Sequence, residues 1–359
     1  MKRIAFFQND LGVGGIQKSI VNLLRNLDTS KVQADLYLTE PGSEWEADLP
    51  ESVRVIRMKP LPRVYSFLPF DFGKKRVESD PAFRAGFPQD AEYDLAVDFN
   101  SYQFSCAMGA LSVPAGKRVM WIHNDVAIKL RNEWKYRVLW HFFRGKFKYY
   151  DGFVPVSGAL IEPFRAMSGI TDKPFTVIPN YIDVEEIRRK VNEPVPGFRL
   201  DPACFNVAAL GRLCHQKGYD IMLDVFAEAH RRREDLRLYI IGDGPDRRAL
   251  ETQRDRLGLG DAVRFLGSQA NPFAFMARMD ALLSTSRYEG QGMNIMEAMV
   301  LGLPVICPKH LEQYIEGLQG TEDLVGALVR AYKMEKCPDD LADYNGQILQ
   351  RVLSLCGEK

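Results

Sequence analysis

The sequence predicts an α/β protein of two domains, each a parallel sheet layered with helices. Three observations carry this. Short β-branched and aromatic runs alternate with helical patterns along the whole chain, which is the mark of β-α-β units. The length of 359 residues exceeds what one ordinary core supports and suits two. Between two runs of alternation lies a segment, 181–204, poor in apolar residues and carrying Pro194, Pro196, Gly197 and Pro202, which reads as a linker.

In the first half, strands are expected at 3–7, 34–39, 53–58, 94–99, 118–123, 152–156 and 175–178. A helix is expected over 16–27, with Ile16, Ile20, Leu23, Leu24 and Leu27 on one face. Residues 59–92, rich in Pro, Phe and Arg, read as an inserted loop. In the second half strands are expected at 206–210, 236–241, 263–266, 281–284 and 305–307, with a helix over 219–233 that sets Met222, Phe226 and Ala229 at helical spacing. From 321 to about 356 the pattern is helical with a break near Pro338. The expected domains are therefore 1–180, the linker 181–204, and 205–337. Residues 338–359 form a final helix that returns to the first domain. Two Rossmann-like domains of this kind place a ligand between them, at the carboxyl ends of their strands.

Composition narrows the function. Basic and acidic residues balance at 47 each, so no global field draws the chain to nucleic acid, and no nucleic-acid partner is expected. The six cysteines (106, 204, 214, 307, 337 and 356) show no Cys-x-x-Cys spacing and read as thiols of a reducing compartment. No apolar run approaches the roughly 20 residues of a membrane span. Met1-Lys2-Arg3 leads straight into a strand, so a cytoplasmic protein is expected, with attachment to the inner face of a membrane as a second possibility. No His-x-x-x-His, paired Cys or Asp-x-Asp occurs, so neither a metal site nor a cofactor is predicted.

The most informative segment runs from Ser284 to Met299. The apolar strand Ala281-Leu282-Leu283 enters a glycine-bearing turn, Gly290-Gln291-Gly292-Met293, and then a helix, with Glu289 before the turn and Glu297 on the helix. Such a turn presents backbone N–H groups at a helix start, where phosphate is favoured. Two acids beside it make sense only if they accept hydrogen bonds from hydroxyls. A sugar nucleotide supplies both, a diphosphate for the turn and hydroxyls for the acids. Arg212 and Lys217, in Gly211-Arg212-Leu213-Cys214-His215-Gln216-Lys217-Gly218, add a guanidinium fork and a point charge suited to a diphosphate.

Other features admit two readings each. Strand one ends in Gly12-Val13-Gly14-Gly15, close to the dinucleotide fingerprint but with Gln17 at the third glycine position, and Glu40 stands after strand two. This is either a nucleotide turn or a tight strand-to-helix turn. Gly242-Asp243-Gly244-Pro245 repeats the choice in the second domain. His123 ends the strand Val119–Ile122 and either hydrogen-bonds a reacting sugar or braces its own loop. Between Lys117 and Lys148 nine basic residues face only Asp125 and Glu133, interleaved with Trp134, Tyr136, Trp140, Phe142, Phe143 and Phe147. This stretch is either an interfacial surface for anionic lipid or a core helix with a solvated basic face. Arg63, Lys74, Lys75 and Arg76 beside Phe67, Phe70 and Phe72 tilt the balance toward the membrane.

Together these residues resemble the retaining glycosyltransferases of family 4, whose fold is GT-B: two Rossmann-like domains with parallel sheets facing a central cleft. Glu289 and Glu297 match the family's Glu-x7-Glu element. Gly211, Arg212, Leu213, Lys217 and Gly218 match its Gly-Arg-Leu loop, Gly242, Gly244 and Pro245 its Gly-x-Gly-Pro turn, Gly14-Gly15 its first-strand glycines, and His123 its N-terminal-domain histidine. Asn180-Tyr181-Ile182-Asp183 resembles its Asn-Gly-Val-Asp. The resemblance implies that Arg212 and Lys217 hold the diphosphate, Glu297 the ribose and Glu289 the donor sugar. Gly290 to Met293 offer amides, and Gly14-Gly15 close over the reaction centre. It also implies catalysis without a metal and transfer with retention, by same-face attack through an oxocarbenium-like state. Expected partners are a nucleotide diphosphate sugar, with UDP favoured, and a growing cell-surface glycan or lipid-linked acceptor. Gln291 stands where the family has an aromatic, and the chain after Cys307 is shortened. An NAD-dependent oxidoreductase and a non-catalytic GT-B assembly partner remain the alternatives.

Overall fold

The structure, a computed structural model, describes residues 1–12, 14–42, 45–59, 61–87, 91–336, 338–339 and 341–357, without the side chains of Arg63 and Phe143. The expectations for Cys337, for the Arg63 charge and for the Phe143 ring lie outside the described residues. The chain divides into two units, Met1–Tyr181 with Asp343–Lys359, and Ile182–Ala342.

Unit 1 is built on strands β1 (Lys2–Gln8), β2 (Val32–Leu38), β3 (Arg54–Arg57), β4 (Tyr93–Asp98), β5 (Ala115–Ile122) and β6 (Gly152–Pro155). They pair in parallel in the order β3-β2-β1-β4-β5-β6. The central strands read as unbroken apolar runs because helices cover both faces, and Ile4 to Phe7 are fully buried. Helices α1 (Gly15–Arg25), α2 (Phe70–Glu78), α3 (Pro81–Arg84), α4 (Phe104–Ser112), α5 (Val126–Asn132), α6 (Trp134–Phe143) and α7 (Ile161–Ser168) complete the unit. The last helix, α14 (Ala342–Leu355), belongs here too. Its Arg351 donates to the Val177 carbonyl at 2.9 Å, and Tyr344 to that of Asn180 at 3.0 Å.

Two expectations need correction. Residues 59–92 are not a plain loop, since they hold a 3₁₀ turn at Arg63–Phe67 and the helices α2 and α3. Phe70, Gly73 and Val77 form a buried face on α2, and Asp80 caps α3 just before Pro81. The segment 175–178 is not a strand. It runs beside β6 through the Phe175–Phe153 bridge and three backbone hydrogen bonds, Phe153 N–H to Pro174, Thr176 N–H to Phe153 and Ile178 N–H to Pro155, and prolines at 174 and 179 bound it.

Unit 2 carries β7 (Phe205–Leu210), β8 (Leu236–Ile241), β9 (Val263–Gly267), β10 (Ala281–Leu283) and β11 (Val305–Ile306), parallel in the order β11-β10-β7-β8-β9. Its helices are α8 (Val184–Lys190), α9 (Tyr219–Arg232), α10 (Arg247–Arg256), α11 (Pro272–Met276), α12 (Met293–Val300) and α13 (Leu324–Arg330). The predicted linker thus contains a helix, α8, started by the Asp183 carboxylate accepting from Glu186 N–H at 2.9 Å. Val207, Leu238, Ile240 and Leu283 of the sheet pack with Met222, Leu223 and Phe226 of α9 to form the core. In each sheet the chain reverses its winding beside the first strand, between β1 and β4 and between β7 and β10. Loops part at such a switch point and leave room for a ligand.

Candidate functional site

In unit 2 the site forms where the loops after β7, β8 and β10 meet. Glycine is obligatory at the joins. A Cβ on Gly242, at φ +136°, would stand 2.0 Å from the Gly211 carbonyl oxygen. One on Gly218, at φ +65°, would stand 2.3 Å from that of Thr285. These close approaches let Leu213 N–H donate to the Asp243 carbonyl at 2.9 Å and Arg287 N–H to that of Gln216 at 2.8 Å. Arg287 also grips Asp220 through two hydrogen bonds of 2.8 and 2.6 Å. The three loops therefore form one hydrogen-bonded unit.

That scaffold brings two of the predicted residues of unit 2, Lys217 and Glu289, into contact. Lys217 Nζ lies 2.6 Å from Glu289 Oε1, with the two side chains 19% and 6% exposed. Asn294, in the first turn of α12, donates to the Leu210 carbonyl at 2.8 Å. It pins the helix start to the end of β7. Gly292, at φ +69°, turns the chain into α12, whose start has no side-chain cap. Gln291 and Glu297 are buried. Arg212 is exposed and has no hydrogen-bond or ion-pair partner among the described residues. Cation, buried acid and open helix start thus share the switch point between β7 and β10. After β11 the shortened segment forms a 3₁₀ helix, Lys309–Tyr314, and His310 Nε2 bonds the Ser286 carbonyl at 2.9 Å.

In unit 1 the loops after β1, β4 and β5 carry the remaining candidates. Asp10 organises the glycine turn, accepting from Gly12 N–H at 2.8 Å and from the Gln17 amide at 3.1 Å. Asn100, after β4, donates to Asn9 Oδ1 at 2.6 Å across the switch point. Gly14 is held close, since a Cβ there would stand 2.4 Å from Gln17 Oε1, whereas Gly15 has open space.

His123 is buried behind its strand, and its ring packs 4.6 Å from that of Phe99. Its Nε2 lies 3.0 Å from the Phe99 carbonyl. Burial holds the imidazole neutral and lowers its pKa to about 3. A neutral ring beside a carbonyl oxygen must carry its proton on Nε2, so Nδ1 keeps the lone pair. His123 is therefore a hydrogen-bond acceptor at Nδ1. A separate cavity of about 430 Å³ is lined by Phe83, Phe87, Leu111 and Pro114 at the amino edge of the sheet and includes none of these residues.

The basic stretch 117–148 is split by burial. Lys146 is interior, 3.0 Å from Asp98 Oδ2 and 2.7 Å from the Ser101 carbonyl. Trp140, Phe147 and Tyr150 are core residues, while Trp134, Lys135 and Arg137 are exposed. Sequence reasoning missed Asp10, Asn100, Asn294 and the Arg287–Asp220 pair. Asp10 acts within its own turn, whereas the others act through bonds between loops far apart in the chain. The placement of Asn294 one residue into a predicted helix after glycine was the one local hint.

Two parallel-sheet α/β units with these strand orders are the GT-B architecture, and solved structures share it. An S. aureus TarM variant in complex with fondaparinux, alpha-GlcNAc-glycerol and UDP is 11% identical with both chains fully covered, at a TM-score of 0.72. HepE of Anabaena in complex with UDP and glucose is 18% identical over 99% of this chain and 93% of its own, at 0.63. WaaG, a glycosyltransferase involved in lipopolysaccharide biosynthesis, is 17% identical over 99% and 95%, at 0.61.

Residues 13–186 match the family model of glycosyltransferase family 4, and residues 204–349 that of glycosyl transferases group 1. Each half of the chain thus carries a match to a glycosyltransferase domain model. Among curated relatives, an uncharacterized glycosyltransferase of Methanocaldococcus jannaschii is 26% identical over 53% of this chain and 47% of its own length. The lipopolysaccharide core biosynthesis mannosyltransferase LpsB of Rhizobium meliloti is 28% identical over 52% and 55%. The chain spans about half the length of these relatives.

Proposed function

We propose that this protein transfers a hexose or N-acetylhexosamine from a nucleotide diphosphate sugar to a growing cell-surface glycan or lipid-linked acceptor, with retention of configuration. The observation that carries the reading is the meeting of Lys217, Glu289 and the uncapped start of α12 at one switch point. The diphosphate sits against that helix start and between Arg212 and Lys217, which neutralise it as it leaves. Permanent cations in these positions suit a reaction that needs no metal. Glu297 accepts from the ribose hydroxyls and Glu289 from the sugar. As donor binds, Lys217 divides its charge between Glu289 and the β-phosphate.

In the transfer, the bond from the anomeric carbon to the β-phosphate oxygen breaks and a bond to the acceptor oxygen forms on the same face. The acceptor proton passes to the departing phosphate. His123, neutral and with Nδ1 bare, accepts a hydroxyl hydrogen bond and is not the acid. UDP is the favoured nucleotide because HepE and TarM were crystallised with it. A thermal-shift panel of UDP-, GDP- and ADP-sugars with NAD as control tests the reading. A rise in melting temperature with one sugar-nucleotide class, lost in Glu297→Ala, is expected. A rise with NAD alone would overturn it, and binding without transfer to any acceptor would favour the assembly partner.

A further inference from the structure

Exposed apolar residues gather on one part of unit 1. Val64 and Phe67 lie on the 3₁₀ turn Arg63–Phe67, Phe72 on α2, and Trp134 and Val138 on α6; their exposures run from 44% to 62%. Of the other large exposed apolar residues, Tyr332 and Met334 share one segment of unit 2, and Met1, Met167 and Ile221 stand singly. The three elements adjoin. The 3₁₀ turn packs against both α6 and α2, and the Phe67 ring meets that of Phe142 edge-on at 6.4 Å. Side chains of this size left in water on neighbouring elements mark an interaction surface.

Charge says what kind. Lys75, Arg76, Arg131, Lys135, Arg137 and Arg144 are exposed on or beside the same elements. None of the six has a carboxylate partner among the described residues. The acids of this region are already spent: Asp71 pairs with Lys148 at 2.7 Å, Glu133 with Lys129 at 3.2 Å, and Glu78 with Lys74. Six uncompensated cations therefore surround the apolar side chains, in a chain whose net charge is zero. Large apolar and aromatic groups rimmed by Lys and Arg fit the headgroup layer of an anionic bilayer. There the rings enter the acyl boundary while the cations meet phosphates.

We propose that the face formed by α6, the turn Arg63–Phe67 and α2 docks on an anionic lipid surface. The surface is narrower than the stretch 117–148, because Lys146, Trp140 and Phe147 belong to the interior. It would bring unit 1 to a membrane where a lipid-linked acceptor resides. The inference uses no residue of the donor site, so it stands or falls separately from the proposed transfer.

The test is co-sedimentation of the full chain, without nucleotide, with vesicles of about 30% phosphatidylglycerol in phosphatidylcholine and with phosphatidylcholine alone. Binding to the anionic vesicles at roughly 0.02 M salt, and release at roughly 0.5 M, is expected. Trp134 fluorescence should shift to the blue on binding. At about a fivefold change in partition per charge, the double variant Lys135→Glu/Arg137→Glu should bind at least roughly 100-fold more weakly. Trp134→Ala should weaken binding while leaving circular dichroism and nucleotide affinity unchanged. No binding to anionic vesicles at low salt would overturn the proposal, as would binding indifferent to these substitutions. Concentration-dependent self-association lost in Trp134→Ala, without vesicle binding, would reassign the face to a second copy of the chain.

Discussion

The buried neutral His123 makes a prediction about stability that can be worked through. Its pKa is about 3 in the folded protein against 6.5 for a free imidazole. The folded value is the depressed one, so the unfolded chain binds the extra proton. Stability is intact above pH 6.5 and is lost progressively as pH falls toward 3. At pH 5 the unfolded histidine is almost fully protonated and the folded one is not, a difference worth about 2 kcal/mol. His123→Gln removes the titration while keeping an amide donor near the Nε2 position, facing the Phe99 carbonyl. All four tryptophans, at 45, 121, 134 and 140, lie in unit 1. Tryptophan-monitored urea unfolding therefore reports the unit that contains His123. Between pH 7.5 and pH 5 the native chain should lose about 2 kcal/mol more than His123→Gln, a midpoint difference of roughly 1 M urea. Parallel losses in the two proteins would refute the buried, neutral assignment and with it the acceptor role at Nδ1.

Two further outcomes concern unit 2. Lys217→Ala leaves the Glu289 carboxylate, 6% exposed, without its partner. The cost should be about 3 kcal/mol, lowering the calorimetric melting temperature of that unit by roughly 6–12 °C. Lys217→Ala with Glu289→Gln should recover most of the loss, and a single variant as stable as the native chain would contradict the pair's role. Gly242→Ala forces a Cβ to 2.0 Å from the Gly211 carbonyl at a φ that alanine disfavours. It should cost about 3 kcal/mol or abolish soluble folding, whereas Gly260→Ala, with open space around it, should change stability by no more than about 0.5 kcal/mol.

The layered α/β architecture was legible because strands buried on both faces, such as Ile4–Phe7 and Leu238–Ile241, must be continuous apolar runs. Helix α2 was obscured because Pro69 and the basic run Lys74-Lys75-Arg76 mask its short buried face of Phe70, Gly73 and Val77. Residues 175–178 have β-rich composition and bond to β6 without extending into a regular strand, and the regularity of pairing cannot be read from composition. In unit 2 Arg212, Lys217, Glu289 and Glu297 announced themselves by type and spacing. The bonds that set their geometry, Asn294 to Leu210 and Arg287 to Asp220, link loops 84 and 67 positions apart and depend on sheet order. The basic stretch shows the opposite limit. Its charge was visible, but only burial separates Lys146, a buried counter-ion of Asp98, from the exposed Lys135 and Arg137.

The central claim is that Arg212, Lys217 and the start of α12 hold a nucleotide diphosphate. Calorimetric titration with UDP and with uridine tests it most directly, in the native chain and in Arg212→Ala. The native chain is expected to bind UDP far more tightly than uridine, and Arg212→Ala to remove roughly 10-fold or more of that difference. Equal affinity for UDP and uridine, or a difference untouched by Arg212→Ala, would contradict it.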